Sequence, residues 1–283
     1  MNRKQKISFV LFLLTLTFFT SCVSINRTRQ SSRPLENTAY IPKEFIWQPV
    51  AQGIERFDFE NPDIPLIYHA VKIQLDSPNL ELVCFPDTST KINSKGFFNG
   101  KKTLDFAKHY NCVVAVNASP FNGRLIKKKI VGAHSAKGNM LASPNSRYAA
   151  LAFSKDLRAQ VLETQTEDCI KQFDFVFGGF FVVLKNNEVQ NSFAQIYDSR
   201  TGAGISQDGK TLYLLVVEGE YPKHSVGLTY PNCAEIFKEM GCSDALELDG
   251  GGSTQLCIDK QSVLSYKALR IQANSFGFRL LVK

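Results

Sequence analysis

A short apolar strand that runs into three glycines places the tightest constraint on this 283-residue chain. Ala245–Leu248 is followed by Asp249 and then by a loop made of Gly250, Gly251, Gly252, Ser253 and Thr254. Glycines accept positive φ, so the backbone N–H groups of such a loop can close around an oxyanion, and the two hydroxyls add donors. The pattern predicts an anion-binding loop with an acid at its entrance. The alternative is a glycine-rich hairpin turn into a strand at Gln255–Ile258.

Two helix and strand units frame the predicted sheet. A helix at Thr103–Tyr110 precedes the buried strand Cys112–Val116, and a helix from Pro231 to Met240 leads into the strand before Asp249. If these strands are parallel neighbours, Asn117 and Asp249 project from one edge. Alternating and apolar runs predict further strands at Ile67–Leu75, Leu80–Phe85, Tyr148–Phe153, Phe173–Phe177, Phe180–Leu184, Gly202–Ile205, Thr211–Val217 and Phe276–Val282. We therefore predict an α+β fold with a mixed β-sheet core and a few helices in a single domain over residues 41–283.

The first 40 residues are typical of an export and anchoring segment. Three basic residues precede the apolar run Ile7–Phe19, which is too short for the roughly 20 residues of a membrane-spanning helix. Met1–Ser21 is predicted to be a signal peptide, and the small residues before Cys22 resemble a bacterial lipobox, which predicts a lipidated Cys22. An ordinary cleaved signal with an incidental cysteine is the alternative. Residues 22–40 are polar and predict a tether, so we expect a protein anchored to the bacterial cell envelope on its periplasmic or surface side.

Composition excludes some function classes. The signal carries three of the 33 basic residues and none of the 26 acidic ones, so the rest of the chain has a net charge of +4. The one dense basic run, Lys127-Lys128-Lys129, is typical of a solvated loop or strand edge, with a supporting role in attracting anions, and no nucleic-acid partner is expected. Six cysteines follow Cys22 without zinc-ligand spacing, which predicts one or two disulfides at most.

Polar residues at strand ends form the candidate site. Asn117, Arg200, Glu218 and Asp249 each follow or precede an apolar strand beside a glycine-bearing loop. An arginine can pair bidentately with phosphate, and two carboxylates are the minimum for glycosidic hydrolysis with separate acid and base or nucleophile roles. Each residue also has an ordinary structural explanation as a turn or salt-bridge residue.

Two further residues are weaker candidates. Glu247 lies on the same strand face as Asp249, about 6 to 7 Å away. His134 lies in a glycine-bearing segment where it could touch a substrate, although a single histidine is more often structural. Ser253 has no evident histidine partner, so a serine-hydrolase triad is not expected.

An ordered series of motifs resembles the phosphodiester glycosidase family. The series consists of Ser199–Gly204, Asp208–Lys210, Val217–Gly219, Ser225–Thr229, the second helix and Ala245–Thr254. More loosely, it extends back through Gly178-Gly179 and Gly132 to Val116–Phe121, so that residues 104–283 carry the motifs. In that family the position of Glu218 is commonly Asp and that of Glu247 commonly Asn, and the asparagine loop usually ends in an aromatic pair rather than in Phe121 alone.

The resemblance implies hydrolysis of a sugar-1-phosphodiester, with a phosphate-linked glycan as the substrate. Asp249, Glu218, Arg200 and Asn117 would then be catalytic, while residues 250–254, His134, Glu247 and Gly179 would contact substrate. No cofactor is certain, and a divalent cation among the carboxylates stays open. The alternatives are a non-catalytic surface lipoprotein that binds glycans on the same scaffold, and a transferase acting on phosphate-linked glycans.

Overall fold

The computed structural model describes residues 35–61, 63–191 and 195–281. The predicted signal peptide, Cys22 and most of the predicted tether lie outside the described residues. The α-helices are α1 (Thr103–His109), α2 (Glu167–Ile170) and α3 (Tyr230–Glu239), and 3₁₀ turns lie at Asn37–Ala39 and Gly251–Ser253. The strands are β1 (Gln48–Ala51), β2 (Ile54–Asn61), β3 (Leu66–Gln74), β4 (Leu80–Phe85), β5 (Phe98–Asn99), β6 (Val114–Asn117), β7 (Phe121–Asn122), β8 (Lys127–Ile130), β9 (His134–Ala136), β10 (Asn139–Ala142), β11 (Ala150–Phe153), β12 (Ala159–Leu162), β13 (Phe175–Gly178), β14 (Val182–Lys185), β15 (Glu188–Val189), β16 (Arg200–Ile205), β17 (Thr211–Val217), β18 (Asp244–Glu247), β19 (Leu256–Ile258), β20 (Gln261–Ser262) and β21 (Ser275–Leu280).

The strands form four sheets. The large sheet has the order β1-β2-β3-β17-β16-β18-β14-β15. Two five-stranded sheets have the orders β10-β9-β13-β11-β12 and β20-β19-β6-β21-β4, and a three-stranded sheet has the order β5-β8-β7. Strands make up 40% and helices 11% of the structure, so the predicted α+β fold is dominated by its sheets.

The predicted mixed pairing and the predicted neighbours differ from the structure. Every strand pair among the described residues is antiparallel. The strands before Asn117 and Asp249, β6 and β18, belong to different sheets. β18 pairs instead with β16 and β14, because β16 lies between β17 and β18 and runs opposite to both.

The core is built in layers around the large sheet. One face, which includes Ile73, Leu214 and Leu246, packs against the two five-stranded sheets through residues such as Phe177 and Phe276. The other face packs against α3 and the N-terminal segment. A third cluster packs α1 onto the outer side of the β6 sheet. Layers cover both faces of the large sheet because its central strands β16, β17 and β18 are buried on both sides.

Two glycines of β16 allow α3 to pack tightly. A Cβ on Gly202 would lie 2.9 Å from the ring of Phe237, and one on Gly204 would lie 2.6 Å from Cys242 Sγ. The helix begins with a capping box between Thr229 and Asn232 and ends before Gly241, whose φ is +94°. The predicted helix is therefore confirmed, and the glycines of the Arg200–Gly204 motif serve the packing of the helix on the sheet.

All six cysteines of the described residues are free thiols, five of them buried and Cys169 partly exposed. The five buried cysteines therefore serve as small core side chains, and no disulfide joins the described part of the chain. Over the same ranges no helix is long and apolar enough to cross a bilayer, and no group of three or more His, Cys, Asp or Glu side chains is arranged to hold a metal ion.

Candidate active site at one edge of the large sheet

Three of the candidate residues lie at one edge of the large sheet. β17 and β18 both run toward this edge and β16 starts from it, since β16 is antiparallel to each of them. Glu218 directly follows β17, Asp249 lies two residues after β18, and Arg200 opens β16. The topology thus places two carboxylates and a guanidinium residue at neighbouring strand ends.

Asn117 reaches this edge from the other sheet. Its Nδ2 donates to the backbone oxygen of Asp249 at 2.6 Å, while its Oδ1 accepts from Thr201 Oγ1 at 3.1 Å and from the backbone N–H of Gln255 at 2.9 Å. The side chain is fully buried. Asn117 therefore clamps both ends of the glycine loop and joins it to β16.

The glycine loop crosses between two sheets and is not a hairpin. It leaves β18 in the large sheet and enters β19, which pairs with β6 and β20. A Cβ on Gly250 would lie 2.7 Å from the backbone oxygen of Ser199, and Gly251 has a φ of +58°, so both positions favour glycine.

Most of the donors of this loop are already used. The N–H groups of Gly251, Ser253 and Thr254 bond to backbone oxygens of Ser199, Gly250 and Gly251. No hydrogen bond within the described ranges takes the N–H of Gly250 or Gly252. The loop therefore offers an anion two backbone donors at most, fewer than the sequence pattern predicts.

Asp249 is an acid with a perturbed pKa. Burial raises the pKa of its carboxyl to about 6, against the opposing effects of a hydrogen bond from Ser253 and of the positive charge of Arg270. The guanidinium of Arg270 lies next to Gly252, where an added Cβ would be only 2.9 Å from its Nη2. This arginine is a site residue that the sequence analysis missed. It lies in an irregular segment that carries no recognised motif.

Arg200 is directed away from the glycine loop, toward α3. Its Nε donates to the backbone oxygen of Leu228 at 2.8 Å, its Nη2 donates to the backbone oxygen of Ile196, and its guanidinium lies 4.2 Å from the ring centre of Tyr230. The residue is 8% exposed. Two of its donors are thus occupied by the protein itself, which limits the bidentate pairing with phosphate that the sequence predicts.

Glu247 lies near Arg200 on the same face. Burial raises the pKa of its carboxyl to about 7, and the charge of Arg200 opposes that rise. Neither carboxylate oxygen has a hydrogen-bond partner within the described part of the chain. A buried carboxylate that receives no hydrogen bond from a nitrogen or oxygen donor favours its neutral form, so burial outweighs the opposing effects of Arg200 and of the nearby Cys233 thiol.

Glu218 is held by a chain of polar groups. Its Oε1 accepts from the backbone N–H of Ser265 at 2.7 Å and lies 3.2 Å from His69 Nε2, and its Oε2 accepts from the hydroxyl of Ser265. His69 Nδ1 lies 2.7 Å from an oxygen of Asp58. Burial would raise the pKa of Glu218, but the hydrogen bonds from His69 and Ser265 outweigh it and the pKa is lowered.

The hydrogen-bonded groups around Glu218 also change the pKa of His69. Burial alone would lower its pKa, yet the hydrogen bonds and negative charges of Asp58 and Glu218 raise it. Glu218 therefore ties the segment that carries Arg270 to the large sheet through Ser265. Both of its oxygens are occupied in this arrangement.

His134 and Gly179 lie inside the protein. The ring of His134 is fully buried, with Nε2 donating to the backbone oxygen of Pro86 at 2.7 Å and Nδ1 3.3 Å from Asn274 Nδ2, and burial lowers its pKa to about 4. A Cβ on Gly179 would lie 2.6 Å from the backbone oxygen of Glu247. The described contacts of both residues are with protein groups.

The site residues thus fall into three adjoining groups at one edge. Asp249 lies at the glycine loop, which Asn117 holds from β6; Arg200 and Glu247 lie toward α3; and Glu218 belongs to the hydrogen-bonded group that ends at Ser265. No described hydrogen bond or ion pair joins the side chains of Arg200 and Asp249. The glycine loop is the part where a titratable acid, a cation and backbone donors lie together.

Comparison with known proteins gives the family. The sequence model of the family "Phosphodiester glycosidase" (NAGPA) matches residues 110–279, which is more than half of the chain. The chain therefore belongs to the phosphodiester glycosidase family. No curated protein matches it in sequence.

Solved structures share its fold. The catalytic domain of zebrafish N-acetylglucosamine-1-phosphodiester alpha-N-acetylglucosaminidase, auto-inhibited by its pro-peptide, is similar with a TM-score of 0.59 at 17% identity, over 81% of this chain and 83% of that one. A hypothetical protein from Synechocystis is similar with a TM-score of 0.67 at 14% identity, over 85% of this chain. The chain spans 64% of the length of that protein. At these identities the likeness establishes the fold.

Proposed function

We propose that this protein hydrolyses a sugar-1-phosphodiester and releases the free sugar and a phosphomonoester. Family membership supports the reaction class. The observation that carries the proposal is the position and pKa of Asp249. This largely buried acid lies beside the glycine loop, feels the charge of Arg270 and has a pKa of about 6. Acids with raised pKa values beside anion-binding groups are typical of sites that transfer protons near neutral pH.

In this proposal Asp249 moves the proton. One of the two bonds of the bridging oxygen, to the anomeric carbon or to phosphorus, is broken. Water supplies a hydroxyl group to the product that loses the bridging oxygen, and the product that keeps this oxygen takes a proton. Protonated Asp249 donates to the oxygen that leaves, and its carboxylate then accepts a proton from the attacking water. Whether the water attacks carbon or phosphorus, the products and the proton balance are the same.

The other acids have different roles in the same proposal. Glu218 positions the segment of Arg270 through Ser265, because its oxygens are already hydrogen-bonded. Glu247 is enclosed beside Arg200, so in this proposal it acts on the site through the charge of Arg200 and not by contact with the sugar. Asn117 holds the loop in place.

The test is hydrolysis of a panel of sugar-1-phosphodiesters by the purified protein, with and without a chelator. Asp249→Asn should reduce turnover by about 100-fold, because the near-isosteric amide cannot transfer the proton. Asp259→Asn is the matched control, since Asp259 is exposed in the turn between β19 and β20, and it should have wild-type turnover. Hydrolysis in ¹⁸O-labelled water, with the label located in sugar or phosphate, identifies the bond that is cleaved. Near-normal turnover by Asp249→Asn would place the catalytic acid elsewhere.

A non-catalytic glycan-binding function is the second candidate. An aromatic group favours it: the rings of Tyr148, Phe180, Phe181 and Tyr230 contact one another in sequence at 5.3 to 6.4 Å, near Arg200. Stacked and partly exposed aromatic rings suit sugar faces. If the wild type binds glycans from the panel and cleaves none, this function replaces hydrolysis.

A further inference from the structure

A second cation, Lys128, lies near Arg270. Lys128 lies on β8 with 6% of its surface exposed, and its Nζ is 4.8 Å above the ring centre of Phe121. Burial and the nearby positive charge of Arg270 both lower its pKa. Within the described ranges neither Lys128 nor Arg270 forms a side-chain hydrogen bond or an ion pair with a carboxylate.

Side chains of β8 alternate between exposed and buried positions, and the middle lysine of the basic run takes a buried one. Lys127 and Lys129 are exposed, whereas Lys128 and Ile130 are buried on the opposite side of the strand. Phe121, which pairs with Ile130 from β7, provides the apolar surface under the lysine. The strand period of two therefore turns one ammonium inward while its neighbours stay in water.

A glycine lets the two cations approach. A Cβ on Gly100 would lie 2.2 Å from the backbone oxygen of Gln272 and 2.7 Å from Lys128 Cγ. The backbone of Lys101 pairs with Gln272 in an isolated bridge, which fixes the segment after Arg270 next to the end of β5, the strand that pairs with β8. The fold thus holds two like charges together, although their repulsion opposes the arrangement.

We infer that Lys128 and Arg270 form an anion site for the phosphate group of the substrate. The site has what a phosphate needs: an arginine fork, a lysine point charge and the adjacent N–H groups of the glycine loop at Gly250 and Gly252. A bound phosphate compensates the repulsion of the two cations. This role was predicted from the sequence for Arg200, two of whose donors are bonded to backbone oxygens near α3.

The anion site also affects the protonation of Asp249. Arg270 lies close enough to both Lys128 and Asp249 for its charge to act on each of them. A phosphate held there adds negative charge near Asp249, which favours the protonated form that donates to the leaving oxygen. The identity of the anion as a phosphodiester rests on the proposed function, whereas the anion site itself does not.

Binding of inorganic phosphate to the full chain tests the site without turnover. Phosphate binding is measured by isothermal titration calorimetry at fixed ionic strength. Lys128→Met should weaken it by about 10-fold or more, because methionine has a similar shape but lacks the charge. Lys127→Met and Lys129→Met remove the same charge from the same strand and should bind as the wild type does. Arg270→Gln is the second test variant; Arg270 is exposed, so its replacement should not affect folding, and it should weaken binding similarly.

The outcomes separate the two proposals. Equal weakening by all three lysine variants would show general charge attraction and overturn the site, as would wild-type protein that does not bind phosphate. Selective weakening by Lys128→Met and Arg270→Gln establishes the site, even if no sugar phosphodiester is cleaved. In that case the proposed hydrolysis fails and the anion site remains.

Discussion

Replacement of Asn117 distinguishes a clamp from a substrate ligand. Asn117→Ala removes three hydrogen bonds and leaves the backbone oxygen of Asp249, the N–H of Gln255 and the hydroxyl of Thr201 without this partner. At roughly 1 kcal/mol for each buried group at the low end of the range, the loss is about 3 kcal/mol of unfolding free energy, with the cavity in addition. For a domain of this size we expect the melting temperature to fall by about 6 to 12 °C.

The assay is thermal unfolding followed by circular dichroism, with hydrolysis measured well below the transition. Thr201→Val is the matched control, because it removes only one of the three hydrogen bonds and should lower the melting temperature by about a third as much. A purely substrate-binding asparagine would behave differently. If Asn117→Ala melts at the wild-type temperature and only KM increases, Asn117 is a substrate ligand and does not clamp the loop.

The remaining predictions concern stability against pH and export. Folding lowers the pKa of Glu218, so its contribution to the free energy of unfolding is present above the usual pKa of about 4.5 and is lost as pH falls through the folded pKa. Folding raises the pKa of His69, so its contribution is present below the usual pKa of about 6.5 and is lost as pH rises through the folded pKa. The difference in unfolding free energy between the wild type and Glu218→Gln, measured by urea unfolding, should therefore be largest between about pH 4.5 and 6.5. A difference that does not change with pH would contradict a charged pair of Glu218 and His69. Cys22→Ser should release the protein from the membrane fraction because serine cannot form the lipid thioether, and unchanged fractionation with an unprocessed N-terminus would argue against lipidation.

Local signals in the sequence predicted the elements with strong periodicity. The helix over residues 231–240, the helix over 103–110 and the strands that became β3, β4 and β17 agree with the structure within two residues at each end. Short strands such as β7 and β20 have two residues each, too few for any periodicity to appear. Sheet membership was not predictable, because the pairing of β6 with β19 and β21 depends on contacts far apart in sequence.

The candidate site shows the same division. Asp249 and the glycine loop could be recognised because the acid and the loop are contiguous in sequence. The orientation of Arg200 toward α3 depends on Leu228 and Tyr230, which no local pattern identifies. Lys128 carried a usable signal, since an apolar residue follows two positions later on the same face of a strand. Arg270 had none, because its position is set by a close approach to Gly252.

Because the glycine loop passes from the large sheet to the β6 sheet, ligand binding at the loop affects how long the domain stays folded. The loop joins a strand of the large sheet to a strand of the β6 sheet, and Asn117 secures that junction. Separating the two layers therefore dismantles the place where a ligand is held, so a ligand on the loop resists that separation. With free ligand at 100 times its Kd, this resistance amounts to about 2.7 kcal/mol, enough to make openings of the layers roughly 100-fold rarer. The domain then lasts longest where its ligand is abundant and is cleared by proteolysis soonest where the ligand is scarce.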